Sequence, residues 1–191
     1  NYLVYIAEKI LYKNPKYINY LAPVVTYVLT IFAGTGHTAF SMIPVIVEVA
    51  KGENVRPAVP LSIAVVASQI AITASPVSAA VIYMTGVLEP FGWSYPALLG
   101  VWLLTTFAGC MVTAFVMTLI SKMDLASDPI YQERLKDGLV KPTVGLHEMK
   151  IDAKAKLSVW IFLIGVLCVV FYASAISPAV GLIKNRSEER R

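Results

Sequence analysis

Residues 32–44 read FAGTGHTAFSMIP, and the architecture of the chain turns on how they are read. Two glycines, two threonines, a histidine and a serine stand inside 31 consecutive residues, Tyr17–Val47, without one Asp, Glu, Lys or Arg. A straight helix of that length would run about 47 Å, against a bilayer hydrocarbon core of about 30 Å. Gly34-Thr35-Gly36 therefore predicts a break inside the segment. A second uncharged segment, Pro57–Leu88, is equally overlong and carries its own interruption, TASPVS, at Thr73–Ser78.

The rest of the chain supports a membrane reading. Ala97–Ser121 and Leu157–Pro178 are also free of charge, and each exceeds the roughly 20 residues that cross a bilayer. With 57% hydrophobic and 15% charged residues, the composition lies well off the globular average. The expected fold is an all-α integral membrane protein, a helical bundle with a re-entrant hairpin and a discontinuous transmembrane helix. The net charge of +4 comes from Lys and Arg gathered at span ends, which suits membrane orientation and not nucleic acid. Cys110 and Cys168 lie inside apolar spans without CxxC spacing or a histidine neighbour, so they read as packing residues. No signal peptide is visible, and the chain reads as an internal piece of a longer protein.

Charge at the segment ends sets the expected topology. Lys9, Lys13 and Lys16 precede the first overlong segment and Lys51 and Arg56 follow it. Both of its ends therefore belong on the cytoplasmic side. Residues 1–16 are read as a cytoplasmic-side amphipathic segment and 17–50 as a re-entrant hairpin whose tip, at Gly34–Thr38, stops partway across. Residues 61–88 form the broken helix, which crosses, because EPFGWSYP after it holds no Lys or Arg. Trp93 and Tyr95 are expected in an outer interfacial belt. Residues 97–121 return to the cytoplasm. The loop 122–156 holds seven basic residues and a short helix, with Asp128 as N-cap, Pro129 at the first position and Gly138 as stop. Residues 157–178 cross again, and 179–191 form a tail whose basic residues favour the inner side against this topology.

Irregular backbone at membrane depth must be buried in protein or line a water-filled cavity. Two breaks in neighbouring elements are thus a functional pointer, since discontinuous helices in secondary transporters place their half-helix ends around substrate and coupling ion. Ser75-Pro76 reads as N-cap and first residue of the second half-helix, and Thr38 as the start of the second hairpin arm. Both would direct helix N-termini toward a carboxylate. Thr35, Thr38, Thr73, Ser75 and Ser78 add hydroxyls, and Gly34 and Gly36 permit close backbone approach. Carbonyls near Ala33 and Thr73 suit a small cation. The expected substrate is an anion. The proposed binding set is Gly34, Thr35, Gly36, His37, Thr38, Thr73, Ala74, Ser75, Pro76 and Ser78, with Gln69 and Ser41 as further cavity-lining residues.

Blander readings stand beside this one. Small residues in membrane helices often serve close packing, and Gly86, Gly100 and Gly109 are read that way. His37 and Gln69 could equally make structural hydrogen bonds. Glu48 reads as interfacial and His147 as solvated. His37 and Ser41 are one turn apart, as a base and a nucleophile would be, but no acid lies near and Gly-x-Ser-x-Gly is absent. No enzyme is expected. A pore is disfavoured by the lack of a charge ring or repeated filter sequence.

The same residues carry a resemblance. LAPVVTYVLTIFAGTGHTAFSMIPVIVEVAKGENVRPAVPLS at 21–62, VVASQIAITASPVSAAVIYM at 65–84 and DPIYQERLKDGLV at 128–140 resemble the anaerobic C4-dicarboxylate transporters, the Dcu family. The likeness runs over essentially the whole chain and covers less than half of a family member. It implies a multi-pass protein of the bacterial inner membrane that exchanges fumarate, malate, aspartate and succinate, and no cofactor. More distantly, the chain resembles the ion transporter superfamily, which implies a hairpin and a broken helix in each of two inverted repeats and elevator-type alternating access. Gly-Thr-Gly-His stands here where that superfamily carries Ser-Asn-Thr, so the coupling cation, sodium or proton, stays open. The implied partners are C4-dicarboxylate anions and the bilayer, with a homo-oligomer and a sensor kinase left open. The alternative reading is a non-transporting membrane subunit or dicarboxylate co-sensor acting through such a kinase.

Overall fold

A computed structural model describes residues 2–121, 124–140, 157, 160, 161 and 163–172. The elements are α1 (Tyr2–Lys13), α2 (Ile18–Ala33), α3 (Thr38–Gly52), α4 (Ala58–Ala71), α5 (Ala79–Leu88), α6 (Tyr95–Ile120) and α7 (Pro129–Lys136). A further apolar helix, α8, covers Leu163–Tyr172. All are helical, as expected; the described residues contain no strand.

Helix α1 buries Ala7 and Leu11, one turn apart, and exposes Lys9 and Lys13. Its apolar face joins one core with Ile18 and Ala22 of α2, Met42, Ile46 and Val49 of α3, and Ala64 of α4. Between α2 and α3 the chain reverses. In a continuous helix Thr30 and Thr38 would lie about 12 Å apart along the axis, yet their hydroxyl oxygens are 3.0 Å apart. The 16 residues of α2 give a length of about 24 Å.

The second interruption is equally explicit. Helix α4 tightens into a 3-10 turn at Ile72–Ala74, and Ser75 is extended, φ −83° and ψ 127°, as the residue before Pro76 is driven to be. Ser78 is extended again and its hydroxyl accepts the Ala80 N–H at 3.2 Å. The axes on either side differ by 44°. The N-cap of α5 is therefore Ser78, not the expected Ser75. The half-helices run Ala58–Ala71 and Ala79–Leu88, so the broken helix starts three residues before the expected 61–88.

Helix α6 has 26 residues, about 39 Å, and is long and apolar enough to cross a membrane. The bent pair α4–α5 meets the same test as one broken span. Leu104, Phe115 and Leu119 of α6 face outward. Its threonine hydroxyls return to the carbonyl one turn back, Thr105 to Val101, Thr113 to Gly109 and Thr118 to Ala114, at 2.7–2.9 Å. That leaves few bare polar groups on a lipid-facing surface. On its inner face Tyr27 of α2 bonds Thr106 at 2.7 Å and stacks edge-on against Phe107. Tyr27 also packs with Ala67, Ala71 and the buried Cys110. Cys168 is exposed on α8.

The α3–α4 loop and the segment after α6 clasp each other. Asn54 donates through its side chain to Asp124 at 2.7 Å, the Leu125 N–H donates to the Asn54 carbonyl at 3.0 Å, and Arg56 pairs with Asp128 at 2.9 Å. These two loops therefore lie together. Asp128 also caps α7, accepting from the Ile130 and Tyr131 N–H groups. Helix α7 ends at Lys136 and the turn closes with Leu139 N–H on the Arg134 carbonyl, beside the expected Gly138. The expected 157–178 span lies partly outside the described residues. The tail 179–191, His147 and most of the 122–156 loop beyond α7 lie wholly outside them.

Candidate functional site

The hairpin turn Gly34–His37 sits directly on the α4–α5 break, so the two interruptions read separately in the sequence meet as one site. Gly34 ends α2 in the left-handed conformation, φ 68°, with its N–H on the Thr30 carbonyl at 2.8 Å. A Cβ at Gly34 would stand 2.6 Å from Val77 Cγ2. At Gly36 a Cβ would collide with the Gln69 side-chain amide. Position 34 is thus closed to side chains by conformation and contact, whereas a side chain at position 36 requires the Gln69 amide to move aside.

A chain of hydroxyls joins the two breaks. Thr30 bonds Thr38 at 3.0 Å and Ser68 at 2.7 Å, and Ser68 donates to the Gly36 carbonyl at 3.3 Å. Thr38 donates to the Thr35 carbonyl at 3.2 Å. One turn below, the Thr26 hydroxyl lies 2.9 Å from the Ala64 carbonyl. Ser75 donates to the Ile31 carbonyl at 2.6 Å, and Tyr95, at the start of α6, donates to the Pro76 carbonyl at 2.8 Å. Thr30, Ser68 and Ser75 are fully buried, where an unpaired hydroxyl would be costly. Here each has a partner.

The expected residues fall into three groups. Ser75, Pro76, Ser78, Ala74 and Gly36 are buried and form the wall of the site. Thr73 and Ser41 are exposed, but their hydroxyls are engaged with the Ile70 and Thr38 carbonyls, each at 2.7 Å. Ser41 is thus bonded within its own helix, which agrees with setting aside a hydrolase. His37 and Gln69 expose their side chains, and Gly34, Thr35 and Thr38 are half-buried. These five line the accessible rim, where the His37 ring lies 5.8 Å from that of Phe40. Neither overlong segment contributes an Asp, Glu, Lys or Arg to these residues. The helix-end N–H groups are already partly engaged: Ala39 N–H goes to the Gly36 carbonyl, Phe40 N–H to that of His37 and Ala80 N–H to Ser78. No group of three or more His, Cys, Asp or Glu able to hold a metal occurs among the described residues.

One expectation is corrected. Tyr95 is not part of an interfacial belt: it is 2% exposed and supports the break, whereas Trp93 is 43% exposed. Sequence reading missed Thr30, Ser68 and Tyr95. A signal for Ser68 was present in the small-residue face Ala64, Ala67, Ser68 and Ala71, which admits close approach of α2. Thr26 and Thr30, one turn apart, supply the matching hydroxyls.

A family model described as anaerobic C4-dicarboxylate membrane transporter matches residues 1–189. The C4-dicarboxylate transporter DcuA of Helicobacter pylori is 61% identical over 96% of this chain and 41% of its own length. That of Wolinella succinogenes is 60% identical over 97% of this chain and 42% of its own. That of Escherichia coli K12 is 52% identical over the same shares, 97% and 42%. The chain spans about two fifths of the length of the curated relatives it matches. No solved structure matches it. The family and these relatives are transporters by name, and the chain is not an enzyme.

Proposed function

This chain belongs to the anaerobic C4-dicarboxylate membrane transporter family and is a membrane protein, and we propose that it is part of a bacterial inner-membrane carrier that exchanges fumarate, malate, aspartate and succinate. The observation that carries this reading is the meeting of the two breaks. A hairpin tip and an unwound helix, each rich in Gly, Ser and Thr, join through Thr30, Ser68 and Ser75 and leave Thr35, His37 and Gln69 at the rim.

In this reading one carboxylate of the substrate lies against Thr35, His37 and Gln69, near the start of α3. The remaining length of the carrier supplies the other half of the site. The hydroxyl chain makes hairpin and broken helix one body, which suits an elevator in which the two move together. A coupling cation, sodium or proton, would use backbone carbonyls.

The test is counterflow. Full-length protein in liposomes preloaded with fumarate should accumulate labelled succinate only while internal dicarboxylate is present. Repeating it with and without a sodium gradient identifies the coupling ion. No accumulation from a monodisperse, correctly inserted preparation would overturn the exchange reading.

A further inference from the structure

On the cytoplasmic face, away from the two breaks, a cavity of about 690 Å³ opens between the α3–α4 loop and α7. We propose that it is a binding site for the headgroup of an anionic phospholipid. Its walls are of two kinds. Lys51, Arg56 and Arg134 line it against a single carboxylate, Asp128, and Asp128 is already paired with Arg56 at 2.9 Å. The lining therefore keeps a net positive charge, carried by Lys51 and Arg134. Apart from Tyr131 the rest of the lining is apolar, and Ile130 and Leu139 are 55% and 72% exposed. Those side chains have no reason to face a cavity that takes only a small hydrated anion.

Position argues for the same ligand. The cavity is built from segments that immediately follow α3 and α6, where outward-facing Leu119 and Ile120 mark the end of an apolar surface. A basic pocket with an apolar wall at that level matches a phosphate headgroup with its glycerol and first methylenes. The Arg56–Asp128 pair fixes the floor, because it also holds α7 through the Asp128 cap. A site of this kind would make lipid composition a regulator of how the two cytoplasmic loops are held.

The experiment uses delipidated full-length protein in neutral detergent and measures binding of labelled phosphatidylglycerol. Binding should saturate, be displaced by unlabelled phosphatidylglycerol, and resist phosphatidylcholine and millimolar inorganic phosphate or succinate. Each basic residue near a membrane surface contributes about fivefold to affinity. Lys51→Gln should therefore weaken binding about fivefold and Lys51→Gln with Arg134→Gln about thirtyfold, while Lys51→Arg and Arg134→Lys retain it. Lys16→Gln, outside the cavity, should change little. Wild-type affinity in the double variant would overturn the proposal. Displacement of the lipid by phosphate or succinate would do so too, reassigning the cavity to a free anion. Should the double variant not purify as a monodisperse species, Arg134→Gln alone decides, since that residue is exposed on α7: unchanged affinity there also overturns it.

Discussion

At the scale of single residues, Gly34 and Gly36 restrict the site most tightly. Gly34→Ala would place a β-carbon in a left-handed backbone, at a cost of about 1–2 kcal/mol, and drive it against Val77. A lowered unfolding midpoint in detergent is the expected result. Gly36→Ala has ordinary backbone freedom but meets the Gln69 amide, so Gln69 must swing away. Exchange by the full-length protein should fall while the midpoint changes less than in Gly34→Ala. Tyr95→Phe removes the donor to the buried Pro76 carbonyl, worth about 1 kcal/mol. A midpoint equal to wild type would show that the bond is not formed in the membrane. His37→Gln keeps a polar rim and should leave stability untouched, so any change in exchange reports on substrate.

Between elements, the hydroxyl chain predicts coupling. Thr30→Val and Ser68→Ala should not be additive, because each removes the same bond between α2 and α4. A double-mutant cycle should return about 0.6 kcal/mol, the usual size for such bonds in membrane proteins. Helix α7 offers a second comparison. Asp128→Asn keeps a capping oxygen but loses the ion pair, which is half-exposed on the Arg56 side and worth under about 1 kcal/mol. Asp128→Ala also loses the cap, about 1 kcal/mol more.

This is also the scale at which the sequence was most and least legible. Charge-free runs announced α6 and both broken segments, and Asp-Pro announced α7, because solvation and capping are local properties. The N-cap of α5 was misassigned because Ser75 and Ser78 have equal capping chemistry. What separates them is the Ile31 carbonyl, which draws the Ser75 hydroxyl to another helix. Tyr95 was misread for a similar reason: an aromatic beside Trp93 looks interfacial until the position of Pro76 is known.

Over the whole molecule, the clasp between the α3–α4 loop and the segment after α6 makes a topological prediction. Single cysteines at Glu53 and Ala126 in a cysteine-free background should react with an impermeant thiol reagent only from the cytoplasmic side. A cysteine at Trp93 should react only from the opposite side. Labelling of the first two from different sides would refute the arrangement. The outward-facing surfaces of α5, α6 and α8 carry Tyr83, Leu104 and Phe171, as a lipid-facing or subunit-facing wall requires.

The clasp has one more consequence, for how the chain is made. Asn54 and Asp124 are 70 residues apart, and both helices α4 and α5 and all of α6 lie between them. At ordinary rates of synthesis, about 5–20 residues per second, Asn54 waits roughly 4–14 s for its partner to leave the ribosome. Until then the first hairpin has nothing to close against on that face. The bond therefore records that α6 has already been threaded in the right direction: a nascent chain with α6 inverted would carry Asp124 to the far side of the membrane, and the latch could not shut.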